Sequence, residues 1–182
     1  GGRIYIPLTE LRAAQPGLED FEKEGCHPVV ILPRIIHDHE RGEVERELSF
    51  ALEHGIREAL TGNLGQIATL RRMGFTVRGD FGLNVYNSLS LQALKDLRLS
   101  SATASFELRM SQIRAMTKAI DTEVIVYGRL PLMITENCVV KNSTGICSCE
   151  TFPGITDKNG FTFPVVKAFG CRNMVLNSQK LF

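Results

Sequence analysis

Residues 56–80 read IREALTGNLGQIATLRRMGFTVRGD. Two short apolar runs, 56–60 and 75–77, bracket a stretch whose apolar residues Leu64, Ile67, Ala68 and Met73 lie at helical spacing. The polar loop Thr61-Gly62-Asn63 ends the first run, and Gly74 closes the helix. Strand, helix and strand within so few residues read as a βαβ unit, which places the two strands parallel in one sheet.

The pattern repeats in both directions. Upstream, Val29-Val30-Ile31-Leu32 between Pro28 and Pro33 reads as a buried strand. Over residues 40–54, Val44, Leu48, Ala51 and Leu52 form a helical stripe, with Asp38 as the expected N-cap and Gly55 as the stop. Downstream, Ser88 or Ser90 is expected to cap a helix carrying Leu91, Leu94 and Leu97. Residues 102–106 read as the next strand. Ser111 is expected to cap a helix with Ile113, Met116 and Ile120, and residues 123–127 read as a strand again. Strands beginning near Val29, Ile56, Thr76, Ala102 and Val124 lie 27, 20, 26 and 22 residues apart. The fold class is therefore α/β, built of parallel βα repeats with right-handed crossovers. Five open strands leave two bare edges. The N-terminal Arg3-Ile4-Tyr5-Ile6 has strand character of its own and is expected to cover an edge or add a sixth strand. Otherwise the chain is expected to pair as a homodimer or to pack on an upstream part of its own polypeptide.

After Tyr127 the texture changes. Helical stripes give way to Gly, Pro, Asn and Ser, and four of the five cysteines follow. The expected division is 1–128, the βα repeats, and 129–182, a loop-rich cysteine-containing segment packed on them.

Composition narrows the function classes. The chain has 182 residues, 43% hydrophobic and 23% charged, as an ordinary globular protein has. No apolar run approaches a membrane span. The opening Gly1-Gly2 carries no secretory signal and reads as a processed, tagged or excised start. An odd cysteine count in a chain of this length argues for a reducing compartment, hence the cytoplasm, and for metal or redox use of the thiols. The net charge of +1 is unevenly spread. Residues 9–60 hold six Lys/Arg against twelve Asp/Glu, and residues 61–135 hold nine against five. A basic later part weakly suggests an anionic ligand; solvated helix faces are the favoured reading.

Functional groups of parallel α/β folds sit at the C-terminal ends of strands. Read to their ends, the strands deliver Asn63, Asp80, Asn84, Glu107 and Arg129. Such a rim can orient a polar or anionic substrate; the competing reading is that these residues cap loops and helices. Cys138, Cys147, Cys149 and Cys171 give C-x8-C-x-C-x21-C, a set that can hold zinc or an iron–sulfur cluster, or supply buried small hydrophobes. Cys26, beside His27 and Pro28, reads as structural. His37 and His39 read as part of a solvated helix start. GxSxG, HExxH and Walker patterns are absent.

Several stretches carry a resemblance. They are the run Arg78-Gly79-Asp80-Phe81-Gly82-Leu83-Asn84-Val85-Tyr86-Asn87-Ser88, then Ser105-Phe106-Glu107-Leu108, then Tyr127-Gly128-Arg129-Leu130-Pro131-Leu132-Met133 with Thr135-Glu136-Asn137-Cys138. Together with Phe163-Pro164, Cys171-Arg172-Asn173 and Leu176-Asn177-Ser178, the chain resembles the collagenase-like peptidases, peptidase family thirty-two of unknown catalytic type, over roughly residues 20–182. It departs where Phe106 and Val139 stand in place of the family's prolines. The resemblance implies part of a TIM-like (β/α) barrel, the later part of a longer one. It also implies, beside the proteolysis of the family's name, RNA base or related hydroxylation with an iron–sulfur cluster on four cysteines. Cys138 and Cys171 match that pattern well, Cys147 and Cys149 less closely. The partners implied are RNA or a peptide substrate, and the remaining reading is a non-catalytic scaffold portion of a larger chain.

Overall fold

A computed structural model describes residues 1–146 and 154–181. The chain divides into two compact units, Gly1–Ile125 and Val126–Phe182. In the first unit β1 (Gly2–Pro7) leads through the short helices α1 (Leu11–Ala14) and α2 (Leu18–Lys23) to β2 (Cys26–Ile31). Then α3 (Arg41–Glu53), β3 (Glu58–Thr61), α4 (Leu64–Met73), β4 (Thr76–Gly79), α5 (Ser88–Asp96), β5 (Ser101–Thr103), α6 (Met110–Ala115) and β6 (Asp121–Glu123) alternate. The six strands pair in parallel in sequence order, and Arg3–Ile6 of the sequence reading lies in the sixth strand, β1. The sheet curls into a half barrel, part of a TIM-like α/β architecture. Tyr5 in β1 reaches Glu123 in β6, at the other end of the strand order, with a hydrogen bond of 2.6 Å.

The apolar periodicity places part of the core, while Leu64, Ala68 and Leu97, read into the helical stripes, are exposed. Val30, Ala59, Val77 and Ala102 of the strands are buried, as are Leu48, Ala51, Ile67, Leu70, Leu91 and Leu94 of the helices. Burial of this helix–sheet layer, at roughly 25 cal/mol per Å² of apolar surface, is the main force that holds the unit.

Several boundaries differ from the sequence reading, each for a local reason. Asn87, not Ser88 or Ser90, caps α5: its Oδ1 accepts from Ser90 N–H at 2.9 Å, and Ser88 Oγ instead accepts from Thr117 N–H. Ser111 lies inside the first turn of α6, where the Gln112 side chain accepts from Arg109 N–H at 2.8 Å. That helix stops before Ile120, because Met116 turns extended and the Lys118 ammonium donates to the carbonyls of Ile113, Arg114 and Met116. Asp38 sits in a 3-10 turn, paired with Arg41 at 2.9 Å, and does not cap α3. The last strand is Asp121–Glu123 rather than 123–127, since its ladder with the three-residue β5 ends at Thr103 and Glu123.

The second unit holds an antiparallel sheet in the order β10 (Val165–Lys167), β11 (Asn173–Leu176), β7 (Pro131–Thr135). The helix α7 (Val139–Thr144) and a hairpin of β8 (Ile155–Thr156) with β9 (Thr162–Phe163) complete it. Its core is small: Val140, Val165 and Val175, with Cys138 and Phe163 against them. Among the described residues no helix is long and apolar enough to cross a membrane.

Candidate functional site

The loops that follow β3, β4 and β5 meet at one rim of the half barrel. Thr61 and Asp80 share a backbone hydrogen bond of 2.8 Å, which ties the ends of β3 and β4 together. The loops then touch at Gly62 and Gly82, where a Cβ on Gly82 would stand 2.8 Å from the Gly62 carbonyl oxygen. Only glycine permits this approach.

Asn63 caps α4 by accepting from Gly65 N–H at 2.9 Å, and its amide donates to the Arg34 carbonyl at 3.1 Å. Gln66 holds the Pro33 carbonyl at 2.8 Å. The two amides thus fix the loop that carries Arg34. The Arg34 guanidinium lies 5.1 Å over the Phe81 ring, and Phe81 packs tilted against Phe106 with centroids 5.6 Å apart. Asp80 accepts from Phe81 N–H at 2.8 Å. Burial raises the Asp80 carboxyl above its ordinary range; the Phe81 N–H and the Arg34 charge oppose this, and Glu123 adds to it. Asn84 occupies the left-handed region at φ 53° and closes the turn after Phe81. Glu107, exposed, accepts from the Tyr86 hydroxyl at 2.5 Å.

Four of the residues named from the sequence, Asn63, Asp80, Asn84 and Glu107, therefore stand on the successive loops of this rim. Asn63 also caps α4, and Asp80 and Asn84 cap the 3-10 turn Phe81–Leu83, which is the alternative role foreseen for them. Arg129 lies in the second unit, where its guanidinium donates to the carbonyls of Asn177, at 2.8 Å, and Ser178.

Sequence reasoning passed over the wall below the rim. Arg78, only 4% exposed, donates to Glu123 at 2.6 Å and to Glu58 at 3.1 Å; Arg3 also holds Glu58 at 2.8 Å, and Ser101 holds Glu123 at 2.8 Å. Burial disfavours both carboxylates, but the bonds from Arg3 and Arg78 to Glu58, and from Tyr5, Arg78 and Ser101 to Glu123, outweigh it and hold both below the ordinary range. The Tyr5 hydroxyl is pushed up to about 12 by burial and by the neighbouring Glu123 carboxylate. A signal for this wall existed. Strands buried on both faces read as apolar runs, so Glu58 and Arg78 inside β3 and β4 were anomalies. Arg34, Phe81 and Phe106 had no such signal beyond adjacency to named residues.

In the second unit, register pairs Thr135 with Asn173, so the chain leaving β7 and the chain entering β11 emerge at the same end of the sheet. Arg172 and Glu136 bridge them at 2.7 Å, and Asn173 accepts from Val139 N–H at 2.7 Å. Cys138 and Cys171 flank these contacts. The Cys138 thiol accepts from Lys141 N–H at 3.4 Å, and Cys171 is exposed at φ 62°. Cys147 and Cys149 lie outside the described residues. Among the described residues no group of three or more His, Cys, Asp or Glu is placed to hold a metal ion.

A family model described as Peptidase family U32 matches residues 10–149, more than half of the chain. No curated protein and no solved structure matches it.

Proposed function

The chain belongs to peptidase family U32, and from that premise we propose that it is the core of a cytoplasmic enzyme that hydroxylates a base in RNA. One observation carries the reading: the tilted pair Phe81 and Phe106, with the Arg34 guanidinium over Phe81, stands beside the Asp80 carboxyl. Unpaired bases stack on aromatic faces and guanidinium planes and are read by hydrogen bonds at their edges. In this reading Phe81 and Phe106 take the face of the base, and Arg34 takes its plane or a phosphate. Asp80, whose protonated form burial favours, holds or moves a proton at the base edge. Asn63 keeps the Arg34 loop in place, Asn84 turns the Asp80 loop, and Glu107 borders the platform.

The cofactor of this reading is an iron–sulfur cluster, with zinc as the alternative, on Cys138, Cys147, Cys149 and Cys171. The shared sheet end of Cys138 and Cys171 supports it. Bound there, the cluster would supply electron-transfer chemistry.

The test is binding of a fluorescent single-stranded RNA by anisotropy. Stacking is worth about 1–3 kcal/mol per base, so Phe81→Ala should weaken binding by about 5- to 150-fold. Equal binding by the variant, or preference for an unstructured peptide over RNA, overturns the reading and favours a protease or a scaffold part. Iron and sulfide analysis of oxygen-free preparations tests the cluster separately.

A further inference from the structure

We propose that the groove between α3 and α4 binds a free apolar α-amino acid of about leucine size. The inference stands independently of the RNA reading and uses none of the aromatic platform. Arg41, Glu45 and Leu48 of α3 stand at i, i+4, i+7 spacing, and so do Gly65, Thr69 and Arg72 of α4, so each set forms one face of its helix. All six line one cavity of about 260 Å³. The gap has a cause in the sequence. Neighbouring helix axes lie about 8–10 Å apart, and Gly65 and Thr69, one turn apart on α4, are too small to fill the space toward α3.

The lining states the chemistry of the ligand. Leu32, Val44, Leu48 and Leu70 supply the apolar part, none of them more than 5% exposed. An apolar cavity of about 150 Å³ takes a benzene, so this one takes a molecule of roughly ten non-hydrogen atoms. Asn63 and Gln66, also in the lining, are spent on the loop after β2, at 3.1 and 2.8 Å. Arg41 pairs with Asp38 at 2.9 Å. Two charges of opposite sign remain, one on each helix. Arg72 donates to the Thr69 hydroxyl at 3.2 Å, and among the described residues neither Arg72 nor Glu45 has an ion-pair partner. A zwitterion answers both. Its carboxylate takes the Arg72 guanidinium, which suits bidentate contact, and its ammonium takes the Glu45 carboxylate. Its side chain goes to the apolar part. A simple carboxylate or a simple amine would answer one charge and lay an apolar body beside the other, at a desolvation cost.

The probe is L-leucine, titrated into the whole chain by calorimetry and followed by methyl NMR. It should bind with a dissociation constant of about 1 mM or tighter and shift the methyl signals of Leu32, Val44, Leu48 and Leu70. Isocaproate, which lacks the ammonium, and isoamylamine, which lacks the carboxylate, should each bind about tenfold or more weakly than leucine. Arg72→Met and Glu45→Gln lie at exposed positions, so both should keep the circular dichroism of the native chain. Each should weaken leucine binding by about tenfold or more. Leucine binding weaker than about 1 mM, or shifts confined to other methyls, overturns the site. A smaller loss for either analogue or either variant overturns the zwitterion reading.

Discussion

Arg78→Met removes the one cation that two buried-wall carboxylates share. The arginine is 4% exposed and makes bonds of 2.6 and 3.1 Å to Glu123 and 3.1 Å to Glu58. Taking one partner from a buried pair costs about 3–5 kcal/mol. Here the loss is smaller, because Glu58 keeps Arg3 at 2.8 Å and Glu123 keeps Tyr5 and Ser101 at 2.6 and 2.8 Å. The expected cost at pH 7 is about 2–3 kcal/mol, a fall of about 4–12 °C in Tm. Urea unfolding followed by circular dichroism measures it. The pH dependence supplies a second check. Both carboxylates titrate below their ordinary 4.5 in the folded chain. The stability they contribute is present above that pH and is lost as pH falls through their lowered folded values. The gap between the native chain and Arg78→Met should therefore shrink below about pH 4.5. A cost at pH 7 below about 1 kcal/mol, or a gap independent of pH, would refute the reasoning.

Three further outcomes follow from the rim. Asn63→Ala loses the α4 cap and the tie to the Arg34 carbonyl; thermal unfolding should register a loss of about 1 kcal/mol. Gly82→Ala drives a methyl to 2.8 Å from the Gly62 carbonyl oxygen and 3.3 Å from Arg34 Nε. It should cost about 1–3 kcal/mol, and a Tm equal to the native value would contradict the close approach. Asp80 titrates above its ordinary 3.8, so its charge costs stability as pH rises through that value and the raised folded one. Asp80→Asn, which can still accept from Phe81 N–H, should match or exceed the native Tm at pH 7, with the difference gone at pH 3. A native chain that gains on the variant between those pH values contradicts the burial argument.

The rim was legible because loop-forming residues and strand ends are local properties. Asn63, Asp80, Asn84 and Glu107 each follow an apolar run, so naming the strands named the positions. Their capping roles were legible as the competing reading, but the groups that gather around them were not. The Arg34 guanidinium reaches Phe81 from a loop after β2, and Phe106 reaches it from beyond β5. Phe106 entered the sequence reading as the end of a strand and as a departure from a family pattern, not as a partner of Phe81. For the cysteines, spacing carried the metal reading, while the shared sheet end of Cys138 and Cys171 came from the pairing of β7 with β11.

The sequence by itself determined the alternation of strand and helix, the parallel sheet and its helix layer. Apolar periodicity is a property of neighbours along the chain, and βα spacing leaves little choice of connection. Only the tertiary structure decided the number of strands and the polar wall inside the curl. Glu58, Arg78 and Glu123 sit on three strands, and Tyr5 is separated from Glu123 by 118 positions. A charge inside a strand is tolerated only when a partner from elsewhere satisfies it. That partner is set by the curvature of the whole sheet, which no local pattern encodes.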